Sequence, residues 1–102
     1  MMTQLHLNEL VHYHDQQITS RSLNSRLAIE QPTTLYAFAQ AETISNETSE
    51  QTKLITILDG CLVITQKSQP ITAQTGDLIT IPAGTLHGFS AQTDCRFLQI
   101  EL

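Results

Sequence analysis

Gly76-Asp77-Leu78-Ile79-Thr80-Ile81-Pro82-Ala83-Gly84-Thr85-Leu86-His87 spells a short strand with a turn at each end. The apolar and β-branched side chains over 77–81 favour extended backbone, and Gly76-Asp77 is a turn pair that leads into it. Pro82 has no N–H to give to a central ladder, so the strand ends there. Gly84 supplies the turn geometry that residues with a Cβ resist. Beyond that turn a second strand, carrying His87, is directed back across the sheet.

The same pattern recurs on either side. Segments 33–39, 53–58, 61–66, 69–74, 86–90 and 95–101 are short, rich in Ile, Leu, Val, Thr and Phe, and separated by turn residues. A spacing of roughly 8 to 12 residues is that of β-sandwiches and barrels. Asp59-Gly60 predicts a tight hairpin in which 53–58 pairs antiparallel with 61–66, because such a turn takes positive φ at both central residues. The polar stretch 42–52 is expected to be a loop, and ahead of residue 33 there are two weaker strand candidates, 16–23 and 26–29. The fold expected is all-β with little helix, in one domain over 1–102: N-terminal strands and an arm over 1–30, a barrel core over 31–102.

Several strands are apolar on both faces. Ile55 and Ile57 oppose Leu54 and Leu58, Leu62 and Ile64 oppose Cys61 and Val63, and Leu98, Ile100 and Leu102 alternate with Phe97, Gln99 and Glu101. A wall wetted on its outside alternates apolar with polar residues instead. One face therefore fills the barrel, and the other is expected to be covered by another sheet, an N-terminal segment or a second subunit. A homodimer is the expectation.

At 102 residues, 40% apolar and 15% charged, the chain has material for one hydrophobic core and not for two. Ten acidic against five basic side chains give a net charge of −5, which repels nucleic-acid phosphates and anionic membrane surfaces. No segment reaches the ~20 apolar residues of a membrane span, and residues 1–10 lack a basic flank before an apolar run. A cytoplasmic protein with neither nucleic-acid nor membrane partners is expected. Cys61 and Cys95 have no CxxC spacing and read as buried, reduced thiols. The sequence has neither a Gly-x-Ser-x-Gly elbow nor a glycine-rich phosphate loop, so a serine hydrolase or nucleotide site finds no support.

The run 76–87 resembles the second motif of the cupins, G-x5-P-x-G-x2-H-x3-N, whose histidine points into the barrel as a metal ligand. Gly76, Pro82, Gly84 and His87 stand in register, and Ala91 replaces the terminal Asn. The three turn positions alone match by chance about once in 4,000 starts, so with His87 added coincidence is a poor explanation. The resemblance is to small single-domain cupins and runs from about Ser20-Arg21 through Leu58-Asp59-Gly60 to Arg96-Phe97-Leu98-Gln99-Ile100. It implies a double-stranded β-helix, the jelly-roll barrel. The first cupin motif, G-x5-H-x-H-x3-4-E-x6-G, is degenerate here. Counting back from Gly60 puts Lys53 at the glutamate ligand and Asn46, Glu47, Thr48 and Ser49 where the two histidines belong, so three of four family ligands are missing. One branch of small cupins carries a single histidine in a Ser-x-His-Thr context at this loop; Ser45-Asn46-Glu47-Thr48 is similar, with Glu47 in the histidine's place.

His87 is the one family ligand in position. It reads either as a ligand or general acid/base facing the cavity, since neutral imidazole binds Zn, Fe, Ni or Cu, or as a core histidine bonded to a neighbour. Glu47 either adds an oxygen ligand, giving a weak divalent site for Zn, Fe, Ni or Mn, or is solvated. Lys53 turned inward would pair with Glu47 or an anionic ligand and would repel a metal. A buried lysine is costly unless paired, so an outward, snorkelling Lys53 is the expectation. In His12-Tyr13-His14 the two imidazoles would share one face of a strand and could grip a metal, but an exposed N-terminal segment is the simpler reading.

Two functions compete. The first is binding of a small organic ligand in the barrel cavity through His87, Lys53 and the apolar walls Phe38, Ile55, Ile81 and Phe89, without a tight metal site. The alternative is a metal-dependent enzyme, an oxygenase or isomerase, using His87 with Glu47 and Glu50; a 2-His-1-carboxylate site needs three ligands and open positions. A ligand-sensing role would need a separate partner, because the chain carries no helix-turn-helix pattern.

Overall fold

The computed structural model describes residues 2–67 and 69–102. Among these are nine strands: β1 (Ile18–Ser22), β2 (Thr33–Phe38), β3 (Thr43–Glu47), β4 (Lys53–Asp59), β5 (Cys61–Gln66), β6 (Ile71–Gln74), β7 (Leu78–Ile81), β8 (His87–Ala91) and β9 (Cys95–Glu101). Helix is confined to a 3-10 turn, Leu7–Glu9, and one short helix, α1 (Asn24–Leu27). The strands form two sheets, in the orders β1-β2-β9-β4-β7 and β3-β8-β5-β6, with every pairing antiparallel.

Alternation drives this arrangement. Alternate residues are buried from Lys53 to Ile57 in β4 and from Cys95 to Gln99 in β9, and in β5 Leu62 and Ile64 are buried between less buried neighbours. The inward set from both sheets meets in one core: Phe38, Ile55, Ile57, Ile81, Cys95 and Phe97 from the first, Leu62, Ile64, Ala73, Phe89 and Ala91 from the second. Burying each large member of that set contributes ~1.5–3 kcal/mol. Part of the outward apolar face of the first sheet is covered by the N-terminal segment. Leu35, Ala37, Leu58 and Leu98 pack with Leu5, Leu7, Leu10, Val11, Tyr13, Leu23 and Leu27. Polar bonds fasten the segment: Arg21 donates to the Leu10 carbonyl (3.1 Å), Arg96 to the Asn8 carbonyl (3.2 Å), and the Tyr13 hydroxyl to Asp59 (2.7 Å). The Arg96 guanidinium lies 5.2 Å above the Tyr13 ring.

Three expectations are corrected. First, Asp59-Gly60 is not a hairpin. Strand β4 has β9 on one edge and β7 on the other, so it has no edge to offer β5, and the chain crosses to the second sheet instead. Gly60 alone takes positive φ (+93°), and a Cβ there would overlap the Asp94 carbonyl oxygen. Its N–H donates to Thr75 Oγ1 (3.0 Å) and that of Cys61 to Thr93 Oγ1 (3.1 Å), which pins the crossing. Second, the expected loop 42–52 contains strand β3, paired with β8 through a register irregularity between Ile44 and Glu47. As an edge strand with only Ile44 half-buried, β3 has no alternating apolar signature. Third, the candidate strand 26–29 falls on α1. Ala28 ends that helix in a left-handed conformation, and the Asn24 side chain bonds the carbonyls of Ile29 and Gln31 and the Thr33 N–H. Both cysteines are free, Cys95 buried and Cys61 half-buried. No helix among the described residues is long and apolar enough to cross a membrane.

Candidate functional site

The strand-turn-strand run that includes β7 and β8 delivers His87 to one end of the barrel. Gly84, at φ +80°, donates its N–H to the Ser49 carbonyl (2.9 Å), and Thr85 closes the turn onto the Pro82 carbonyl (3.2 Å). His87 then opens β8, between Glu47 on β3 and Gln66 on β5. Facing it from the other sheet, Lys53 opens β4 between Ile81 on β7 and Glu101 on β9. Both backbone positions are held by pairing on two edges, and Lys53 shares the parity of buried Ile55 and His87 that of buried Phe89, so both side chains point into the barrel.

Lys53 is therefore inward, correcting the outward expectation. It is 4% exposed, and the pairing that burial requires is supplied. Its ammonium donates to Glu47 Oε1 at 3.0 Å and to His87 Nε2 at 3.0 Å. The opposite ring nitrogen, Nδ1, is 2.8 Å from the Thr85 carbonyl oxygen. A carbonyl only accepts, so Nδ1 carries the proton and Nε2 turns its lone pair to the ammonium. The same Glu47 oxygen lies 3.7 Å from Nε2. The His87 side chain is fully buried, whereas that of Glu47 is 44% exposed and faces water.

Directly beneath the trio is Phe89, its centroid 5.6 Å from Lys53 Nζ and 5.4 Å from the His87 ring. Phe38, Ile55, Ile81 and Phe89 are all in the closed core. Phe38 and Phe89 pack on Phe97 at centroid distances of 5.3 and 5.6 Å and on each other at 6.5 Å. The structure thus joins His87, Lys53 and Glu47 directly, with Phe89 below them and Ile81 beside Lys53 in the ladder. Glu50 is exposed. His12 and His14 are exposed in the N-terminal segment, outside any strand.

Sequence reasoning missed Gln99, Glu101 and Tyr36. Gln99 is 6% exposed on the inward face of β9, and Glu101 stands opposite Lys53. The signal was available: both share the parity of buried Phe97. Tyr36 stacks on Phe97 (5.0 Å, 24°), and burial, with Glu47 and Glu101 nearby, pushes its phenol upward.

The cupin resemblance implies a metal, and these donors do not fit one. The Nε2 lone pair and the Glu47 oxygen, the two nearest donors, both already face the Lys53 ammonium at 3.0 Å. A dication bound by that pair would stand about as close to a buried positive charge, whose repulsion is strong in low dielectric. Among the described residues no three His, Cys, Asp or Glu side chains gather to hold a metal ion.

Comparison with known proteins agrees with the topology. The chain is similar to a cupin superfamily protein from Desulfitobacterium hafniense, with 29% identity, 100% of this chain and 92% of that one covered, and a TM-score of 0.87. A conserved Streptococcus pyogenes protein of unknown function is 24% identical (100% and 88% covered, TM-score 0.88). A cupin-2 domain protein from Shewanella frigidimarina is 21% identical (95% and 92% covered, TM-score 0.76). Likeness at the last two levels concerns the fold alone. No curated protein matches the chain. The family model for the cupin domain matches residues 34–101, from β2 through β9, and the chain belongs to the cupin family.

Proposed function

We propose that this cupin binds a small organic ligand at the mouth of its barrel, on Lys53 and His87, without a tight metal site. The observation that carries the reading is the Lys53 ammonium, buried at 4% exposure and separated from water by a half-exposed Glu47. A buried ion pair is poor support for stability, because apolar residues of similar volume usually serve as well or better. A cation kept behind a half-exposed carboxylate, against an oriented imidazole, fits recognition of a polar group. The competing reading, a metal-dependent oxygenase or isomerase on His87, Glu47 and Glu50, has less support. Two of those donors are turned to Lys53 and the third is exposed.

Two measurements test the proposal. Protein purified without chelator is expected to hold Zn, Fe, Ni, Mn and Cu far below one ion per chain. A panel of small neutral and acidic compounds, followed by NMR of the His87 ring, is expected to include binders whose shifts disappear in Lys53→Met. Near-stoichiometric metal lost in His87→Ala, or binders indifferent to Lys53, would overturn it.

A further inference from the structure

We infer that the ligand is a small monocarboxylate, and that Glu47 is its internal stand-in, displaced from Lys53 when the ligand binds. This rests on the ligand-binding reading above and names the class of ligand. The three members of the trio are held very differently. Lys53 is fixed by ladder pairing to Ile81 and Glu101, and His87 by pairing on both edges and by the Thr85 carbonyl. Glu47 ends β3, an edge strand with four of its five residues exposed, beyond a register irregularity. Its carboxylate reaches the ammonium through one oxygen, Oε1.

Charge conservation selects the ligand. Glu47 can swing into water at little cost, being half solvated already, but Lys53 cannot be left without an anion in its 4% exposed position. A neutral molecule that displaced Glu47 would strand the ammonium. A carboxylate replaces like with like, accepting from Lys53 in the same place. A dianion fits less well, because Glu101 stands opposite Lys53 in the ladder and adds negative charge to the mouth.

The sign of one mutation separates this from any structural role for Glu47. Removing an acidic residue should tighten the binding of an acid, because a tethered carboxylate competes at high effective concentration. Propionate and benzoate are titrated at constant ionic strength, with chloride as the balancing anion, into the wild type, Glu47→Gln and Glu47→Gln/Lys53→Met, followed by NMR of the His87 ring. Glu47→Gln is expected to bind propionate about ten-fold or more tighter than the wild type, and the double variant to lose binding. Equal or weaker binding in Glu47→Gln overturns the inference. Propionamide distinguishes the two levels. If it binds the wild type through Lys53 while propionate gains nothing from Glu47→Gln, the monocarboxylate assignment fails and ligand binding at the mouth stands. If no compound binds, both fail.

Discussion

Lys53→Met probes what the buried ammonium contributes. In the folded protein that group is stripped of water at a cost of several kcal/mol. It recovers part of this through charged hydrogen bonds to Glu47 and His87, ~1.5–3 kcal/mol each before correction. The Glu47 share must be discounted, because that carboxylate is 44% exposed and screened by solvent. The 5.6 Å contact with Phe89 adds roughly 1 kcal/mol. Lys53 thus comes out near zero. Methionine in its place gains ~1.5–3 kcal/mol by burying its side chain and leaves His87 Nε2 without a donor, a loss of ~1–3 kcal/mol. Glu47 turns to water. The expected change in unfolding free energy is within about 1 kcal/mol of zero, less than roughly 8 °C in melting temperature. His87→Ala, which empties an imidazole's volume and strips a partner from the ammonium, should cost ~2–4 kcal/mol. Urea unfolding of both variants decides the matter. A loss above about 3 kcal/mol for Lys53→Met would make the ammonium a centre of stability and remove the reason for assigning it to recognition.

Gly60→Ala should lose ~3 kcal/mol or more, since it combines positive φ with overlap on the Asp94 carbonyl; Gly84→Ala, at similar φ but facing open space among the described residues, should lose ~1–2 kcal/mol. Equal urea midpoints would show that the entry to β9 yields freely. Burial above all raises the Cys95 thiol to about 12, so at pH 8 iodoacetamide should label half-buried Cys61 and reach Cys95 only on unfolding. By linkage the unfolded chain releases that proton near 9 while the folded one keeps it, so this contribution to stability is full below pH 9 and falls as pH rises toward 12; a flat profile there refutes the shift. Leu54, Ile100 and Leu78 lie on the outward face of the first sheet, with Leu78 67% exposed, and a second copy burying ~1,200 Å² or more would cover them. Light scattering is expected to give about twice 11.4 kDa at tens of micromolar, reverting to one chain in Leu78→Glu; a monomeric wild type contradicts it.

What could be read from the residues was governed by how local the determining physics is. Strands β5 and β9 matched expectation at both ends, and β2, β4, β6, β7 and β8 within two residues, because a short run of β-branched and apolar residues between turn residues is a local signal. The Asp59-Gly60 turn failed because its meaning depends on which edges of β4 are free, and residues distant in sequence, in β7 and β9, take both. Strand β3 was invisible because an edge strand with one half-buried residue needs no apolar alternation. The outward expectation for Lys53 weighed the cost of burying a cation. Parity with Ile55 pointed inward and prevailed, because pairing on both edges fixes the backbone and Glu47 and His87 meet the cost.

Those replacements are coherent in charge, which separates a converted site from a decayed one. The cupin resemblance implies a glutamate at position 53 and a histidine near position 47, ligands around a central cation. Here position 53 carries the cation itself, and position 47 a carboxylate that faces it at 3.0 Å, with His87 retained as the second acceptor. A barrel that had merely lost its metal has no use for a cation at 53, where an apolar residue would be about as stable and Ile55, Ile81 and Phe89 already supply hydrocarbon. The ammonium instead keeps positive charge in the mouth, on a stem anchored in β4, with its internal counter-ion on the exposed edge strand. On the proposed reading, an acid arriving from solvent meets Glu47 first and exchanges for it without leaving a buried charge uncompensated.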